Sequence, residues 1–427
     1  MSLAIRTLLA VASLYAATAS ALTPTPDLSL AGAGNGLPTA RLFGQSVAAN
    51  AQYLAVGAPG VSSLGAPGAV WVYTRNGDAY SLLGVLQAPT PAAGDGFGQH
   101  VIFVGNSLIV GAPFRTVSGV TARGEVYVYT LVAGQFALAQ TLVPGAAVSA
   151  DDYFGFHLSA DAGWLAVGVP RAGLNDEGQV QLYRYDPNFE TWIYHSQFSG
   201  STSNIRLGLR VLARGTRVLA AAPEEMTSGL SRGYVYEYLR TGNGANATFA
   251  QVQRFRSSVP VADSAQVFGS SMALSADASQ LVVGAPFDVE TPGDLRGAAF
   301  VFARVGGVWV EQQRIASPGG AAAESFGASL ILDGNSRLLI GDIRQGFGSS
   351  GQVGAVHEFQ YLTTPSPSWV EGRSWLRGAG TDQDFYGNAI AAQDGHLIIG
   401  SVGHDDGSNV NVGRVYVYSA VFRDGFE

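Results

Sequence analysis

The chain of 427 residues contains no cysteine. Disulfide scaffolds, cysteine-ligated zinc, a thiol nucleophile and a lipid anchor on cysteine are therefore excluded. Charge is also scarce: 13% of residues are Asp, Glu, Lys or Arg, against about 25% in an ordinary soluble domain. The 24 basic side chains are outnumbered by 32 acidic ones, giving a net charge of -8. That balance argues against electrostatic capture of nucleic acid, which needs clustered Lys and Arg. After the first 21 residues no apolar run is long enough to span a bilayer. No segment keeps a 3.6-residue apolar period, so helices should be nearly absent. There is no Gly-x-Ser-x-Gly elbow, His-Glu-x-x-His pair, phosphate-binding loop or dinucleotide fingerprint.

What is present is 47% hydrophobic residues and 56 glycines, which rules out a disordered chain. Residues 1–21 read as a secretory signal: Arg6, an apolar run from Leu8 to Ala17, and Ala19-Ser20-Ala21 as a cleavage site. The mature chain is expected to be exported, to the periplasm, the cell surface or the medium.

The remainder repeats itself seven times. The first anchor is an aromatic-Gly or Leu-Gly pair: Phe43-Gly44, Phe97-Gly98, Phe154-Gly155, Leu207-Gly208, Phe268-Gly269, Phe326-Gly327 and Tyr386-Gly387. A second anchor, of the type Gly57-Ala58-Pro59, follows 13 residues later in five copies and 15 and 14 later in the fifth and sixth. The third is a glycine before alternating apolar residues, as in Gly68-Ala-Val-Trp-Val-Tyr73 and Gly413-Arg-Val-Tyr-Val-Tyr418. Short β-branched runs bounded by Gly and Pro are strand signals. Each unit of 53 to 61 residues accommodates four of them, here A to D. One seven-bladed β-propeller of four-stranded antiparallel blades, spanning 22–420, accounts for a length that otherwise predicts two or three domains; a two-sheet sandwich is the competing arrangement. The seventh copy ends after its strand C. Residues 27–31 should supply its missing strand D and close the ring, leaving 421–427 as a short tail.

These anchors resemble the FG-GAP repeats of integrin α-type propellers and their secreted bacterial relatives, over Phe43 to Tyr418. The resemblance implies a role in adhesion or ligand binding. Calcium loops of that family are not carried over, because the A–B intervals, such as Ser159-Ala-Asp-Ala-Gly163, offer one carboxylate each where calcium needs six to eight oxygens. No metal or cofactor is expected.

The second residue after each anchor glycine forms a column: Ser46, His100, His157, Arg210, Ser271, Ser329 and Ala389. If strand A is innermost, this column circles the central shaft. His100, His157 and Arg210 then fall on consecutive blades and are the tentative ligand-binding residues, against the plainer alternative of side chains satisfied by backbone and channel water. Acidic residues two before the anchor (Asp95, Asp152, Glu324, Asp384) read as turn chemistry. The B–C and D–A connections share one face and include the long loops 114–123, 224–232, 287–296 and 402–412. The leading expectation is a monomeric, non-enzymatic module binding a protein or glycan through those loops. The alternative is a hydrolase or lyase using the polar residues of the shaft.

Overall fold

A computed structural model describes residues 26, 28–32, 41–60, 65–227, 229–258, 266–289, 295–319, 324–345, 353–364, 366–376, 384–405 and 411–419. The signal segment 1–21 and the tail 421–427 lie outside the described residues. The chain forms seven four-stranded antiparallel sheets. The first consists of Ser46–Ala49, Tyr53–Ala58, Ala69–Asn76 and Ala79–Leu86, in spatial order A-B-C-D. Each strand A lies beside the strands A of its two neighbours, and the seventh meets the first, so the blades form a closed ring. Among the described residues the helical content is a single 3-10 turn, Gly244–Asn246. The B–C loop of the fourth blade adds a hairpin of Met226–Thr227 and Leu230–Ser231, which the repeat pattern did not foretell.

Period-two alternation explains how one strand serves two cores. Leu54 and Val56 pack against the seventh blade, with Ile398 and Val417. Ala55, between them, faces the second blade and packs with Phe97 and Val110. Seven such apolar clusters occupy the seven blade junctions. The first anchor's aromatic belongs to the same device. Phe43 meets the edge of Trp71 at 5.4 Å and Phe97 meets Tyr127 at 5.5 Å, so anchor and strand C aromatics recur together because they touch.

The second-anchor glycine has a different cause. A Cβ on Gly57, Gly168 or Gly284 would stand 2.1, 2.0 or 2.0 Å from the carbonyl oxygen of the next blade's first-anchor glycine. That carbonyl is aimed by the anchor glycine's positive φ, +93° at Gly98 and +90° at Gly327, a region closed to most side chains. On the outer rim, Gln140, Gln253 and Gln313 each bond both the backbone N–H and the carbonyl of a tryptophan in the following blade, Trp192, Trp309 and Trp369.

The ring closes as the strand arithmetic required. Leu28–Leu30 pairs antiparallel with Arg414–Tyr418 as the outermost strand of the seventh blade, Leu28 opposite Val417 and Leu30 opposite Val415. Phe43 forms with Gly413 the same parallel bridge that joins Leu207 to Gly178 and Phe326 to Gly297, so the seam between first and last blades is built like other junctions.

Two outcomes follow. Gly284→Ala should destabilise the protein by at least about 2 kcal/mol, through overpacking at a backbone contact. Gly84→Ala, where the nearest atom is 3.8 Å away, should be neutral or slightly stabilising; similar melting of the two variants would contradict the close-approach account. A chain beginning at residue 33 should melt earlier and self-associate on light scattering, because it leaves a strand edge bare. Parent-like melting without association would show that the closing strand contributes nothing.

Candidate functional site

The anchor glycines turn the chain into strand A at the face carrying the B–C and D–A connections. The residues just after them wall a cavity of about 190 Å³ in the shaft. In four blades the wall is self-satisfied. Ser46, Ser271 and Ser329 donate their hydroxyls to the carbonyls of Gly98, Gly327 and Gly387, at 2.9, 2.6 and 2.5 Å. In the seventh blade Asn388 Nδ2 donates to the Gly44 carbonyl at 2.9 Å, while its Oδ1 accepts the Val402 N–H at 3.2 Å. Each of these bonds to a glycine carbonyl links one blade to the next.

In the second, third and fourth blades that position holds His100, His157 and Arg210, which line the same cavity. The His100 and His157 rings lie against each other with centroids 3.9 Å apart and planes inclined by 40°. His157 Nδ1 accepts the Val211 N–H at 3.3 Å, which leaves its proton on Nε2. His100 Nδ1 is buried and has no hydrogen-bond partner within the protein. Arg210 donates to the neighbouring carbonyl of Leu209 at 3.0 Å.

The electrostatics of this arc are one-sided, since no Asp or Glu lines the cavity. Each of the three side chains keeps part of its surface open to the cavity, but the walls crowd it enough for desolvation to dominate. Burial, and after it the Arg210 charge, push the His100 imidazole down to about 3. Burial, the His100 ring and Arg210 hold His157 well below the usual histidine range. Burial lowers Arg210 to about 10, which leaves it charged at neutral pH. The site therefore presents two neutral imidazoles and one guanidinium without a counter-charge. A cation does not suit it, and among the described residues no three His, Cys, Asp or Glu come together as metal ligands elsewhere. An electron-rich oxygen does suit it.

The column was readable from the repeat, but Asn388 was not, because it stands one residue earlier than the serines it replaces. The polar residue beside Ala389 in the seventh copy was the available signal. The acids before the anchors act in the connections: Asp95 accepts the Ala92 N–H and a bond from Arg115, and Asp152 accepts the Ser149 N–H.

The fold and shaft define a seven-bladed propeller with a cationic, histidine-lined centre. No family model matches the chain and no curated protein matches it by sequence. Solved structures do. The periplasmic gluconolactonase of Pseudomonas aeruginosa is similar with TM-score 0.54 and 16% identity, over 78% of this chain and 85% of that one. A candidate 6-phosphogluconolactonase of Bacteroides uniformis gives 0.56 and 10%, over 82% and 89%. One from Bacteroides fragilis gives 0.52 and 10%, over 78% and 83%. At such identities the likeness carries the fold.

These neighbours correct the expectation of an FG-GAP, integrin α-type adhesion repeat, and with it the non-enzymatic reading: the propellers named beside this chain are lactonases. The physical reason lies in the anchors. Phe-Gly, Gly-Ala-Pro and Gly before Val-Tyr-Val-Tyr answer to ring-edge contact and backbone approach between blades. The motifs therefore report how blades pack and do not by themselves identify a family.

The low-lying histidines also predict an acid limb. A histidine neutral in the fold but near 6.5 when unfolded leaves the unfolded chain holding more protons below that pH. Its contribution to stability is complete above about 6.5 and is lost as the pH falls toward 3. His100→Ser, which installs the hydroxyl of the other blades, should fold and lose less stability than the parent between about pH 6.5 and 4. Denaturant midpoints across that range check it; parallel slopes would mean that His100 is not held neutral.

Proposed function

We propose that the chain is a hydrolase that opens a small ester or lactone in its shaft. The observation that carries this reading is the meeting of His100, His157 and Arg210 on the wall of a cavity free of carboxylates. The lactonase names of its structural neighbours support it. In this reading the substrate carbonyl lies toward Arg210, with the His157 Nε2–H as a second donor. The His100 imidazole takes a proton from water as the water oxygen bonds to the carbonyl carbon. Arg210 stabilises the oxyanion that forms. As that negative charge develops it offsets the guanidinium, so the influence that weakens the imidazole as a base fades during the step. Collapse breaks the carbon–oxygen bond of the ester, and the alkoxide takes its proton from His100.

The long-loop face, where a binding partner was expected, becomes the mouth through which substrate enters. Export directed by residues 1–21, a single propeller over 22–420 and a monomeric state remain part of the proposal; no helix among the described residues is long and apolar enough to cross a membrane.

Acid release from a panel of sugar lactones, glucono-δ-lactone first, tests the reading after subtraction of spontaneous opening. The parent should accelerate hydrolysis. His100→Ser should lower kcat by about 10²–10⁴, and Arg210→Gln by about 10²–10³. A chain that opens no lactone faster than buffer, or a His100→Ser variant of parental activity, ends the proposal.

A further inference from the structure

Hydrolysis of an ester near neutral pH yields an alcohol, a carboxylate and one proton, and the shaft has places for the last two. We infer that the shaft binds small carboxylates together with a proton, the carboxylate on Arg210 and the proton on the adjoining rings of His100 and His157, so that product leaves as an acid–base couple. The inference builds on the hydrolase reading, because the oxygens that Arg210 would hold as an oxyanion are those of the product carboxylate.

The geometry supports it from three sides. Among the residues that line the cavity, the titratable side chains are His100, His157 and Arg210. An arriving anion therefore finds one positive charge and meets no negative one. The two ring centroids lie 3.9 Å apart, close enough for a proton on either to be felt by both. His100 Nδ1 is buried and has no partner in the protein, so protonating the ring breaks no hydrogen bond at that nitrogen. In the empty site Arg210 and burial keep the imidazoles neutral. A bound carboxylate cancels the Arg210 charge and adds a negative one beside the rings, and both changes favour the imidazolium. Because the bound form holds more protons than the free form, affinity must rise as the pH falls. The cavity of about 190 Å³ admits a small acid, and the protein's overall charge of -8 makes capture depend on this local field.

Acetate is the probe. Calorimetric titration of the full mature chain at about pH 5 to 7, in two buffers of different ionisation heat, should show uptake of roughly one proton per acetate. The dissociation constant should weaken by up to about tenfold per pH unit through the range where uptake occurs. His100→Ser should bind acetate with less than half the uptake. Arg210→Gln should lose binding while keeping the parental melting curve, and Arg210→Lys should restore part of it. Equal heats in the two buffers, acetate that fails to bind, or uptake unchanged in Arg210→Gln would overturn the inference. Lactone hydrolysis without proton-linked acetate binding would remove this inference and leave the hydrolase. Proton-linked binding without hydrolysis would remove the hydrolase and leave the inference standing.

Discussion

Everything in this ring depends on how closely one blade's backbone can approach the next. The carbonyl of each first-anchor glycine is driven against the Cα of the preceding blade's second anchor, at a distance no Cβ would permit. The fourth blade is the exception that shows the limit. It carries Ala221 in place of the glycine, and a Cβ built on Gly269 would stand 2.8 Å from the Ala221 methyl. Close approach brings carbonyl oxygens to the shaft wall, and buried carbonyls need donors. Three serines and one asparagine meet that need by bridging to the next blade. Where the chain places His100, His157 and Arg210 instead, the wall lacks these hydroxyl bridges and presents two imidazoles and a guanidinium to the cavity.

That substitution also separates the local from the global electrostatics. The molecule is acidic overall, yet its axis begins in a guanidinium and two unprotonated rings with no carboxylate among them. A charge placed where the walls exclude most water acts far more strongly than the same charge on the rim. Acidic residues close to the same face are engaged in the connections, as with Asp95 and Arg115 or Asp288 and Arg314. They leave the interior field uncancelled.

Much of this architecture was legible in the residues, because packing writes itself into periodicity. The anchors gave the number of blades, alternation gave the strands, and the incomplete seventh copy required the strand at Leu28–Leu30. The column through His100, His157 and Arg210 was visible for the same reason. Other features depend on distance and tautomer, which spacing does not encode: the closeness of the two rings, the Val211 N–H on His157, and the carboxylate-free wall. Asn388 escaped notice because it reaches the Gly44 carbonyl from a neighbouring register. Kinship and activity were misread for a complementary reason. Motifs imposed by stacking report how blades meet, whereas the proposed chemistry rests on side chains that depart from the repeat.

The closing strand has a consequence for how the chain becomes a protein. Ser29 and Arg414 touch side chain to side chain although 385 residues separate them. The first strand to be synthesised thus has no partner until the last one exists. Blades can form in succession as hairpins of local contacts, but the ring stays an open arc with one apolar flank bare until the seventh blade is available. Contacts of such sequence separation are slow to form. The order of synthesis and the order of assembly therefore run in opposite directions at this seam, and its joining closes the ring.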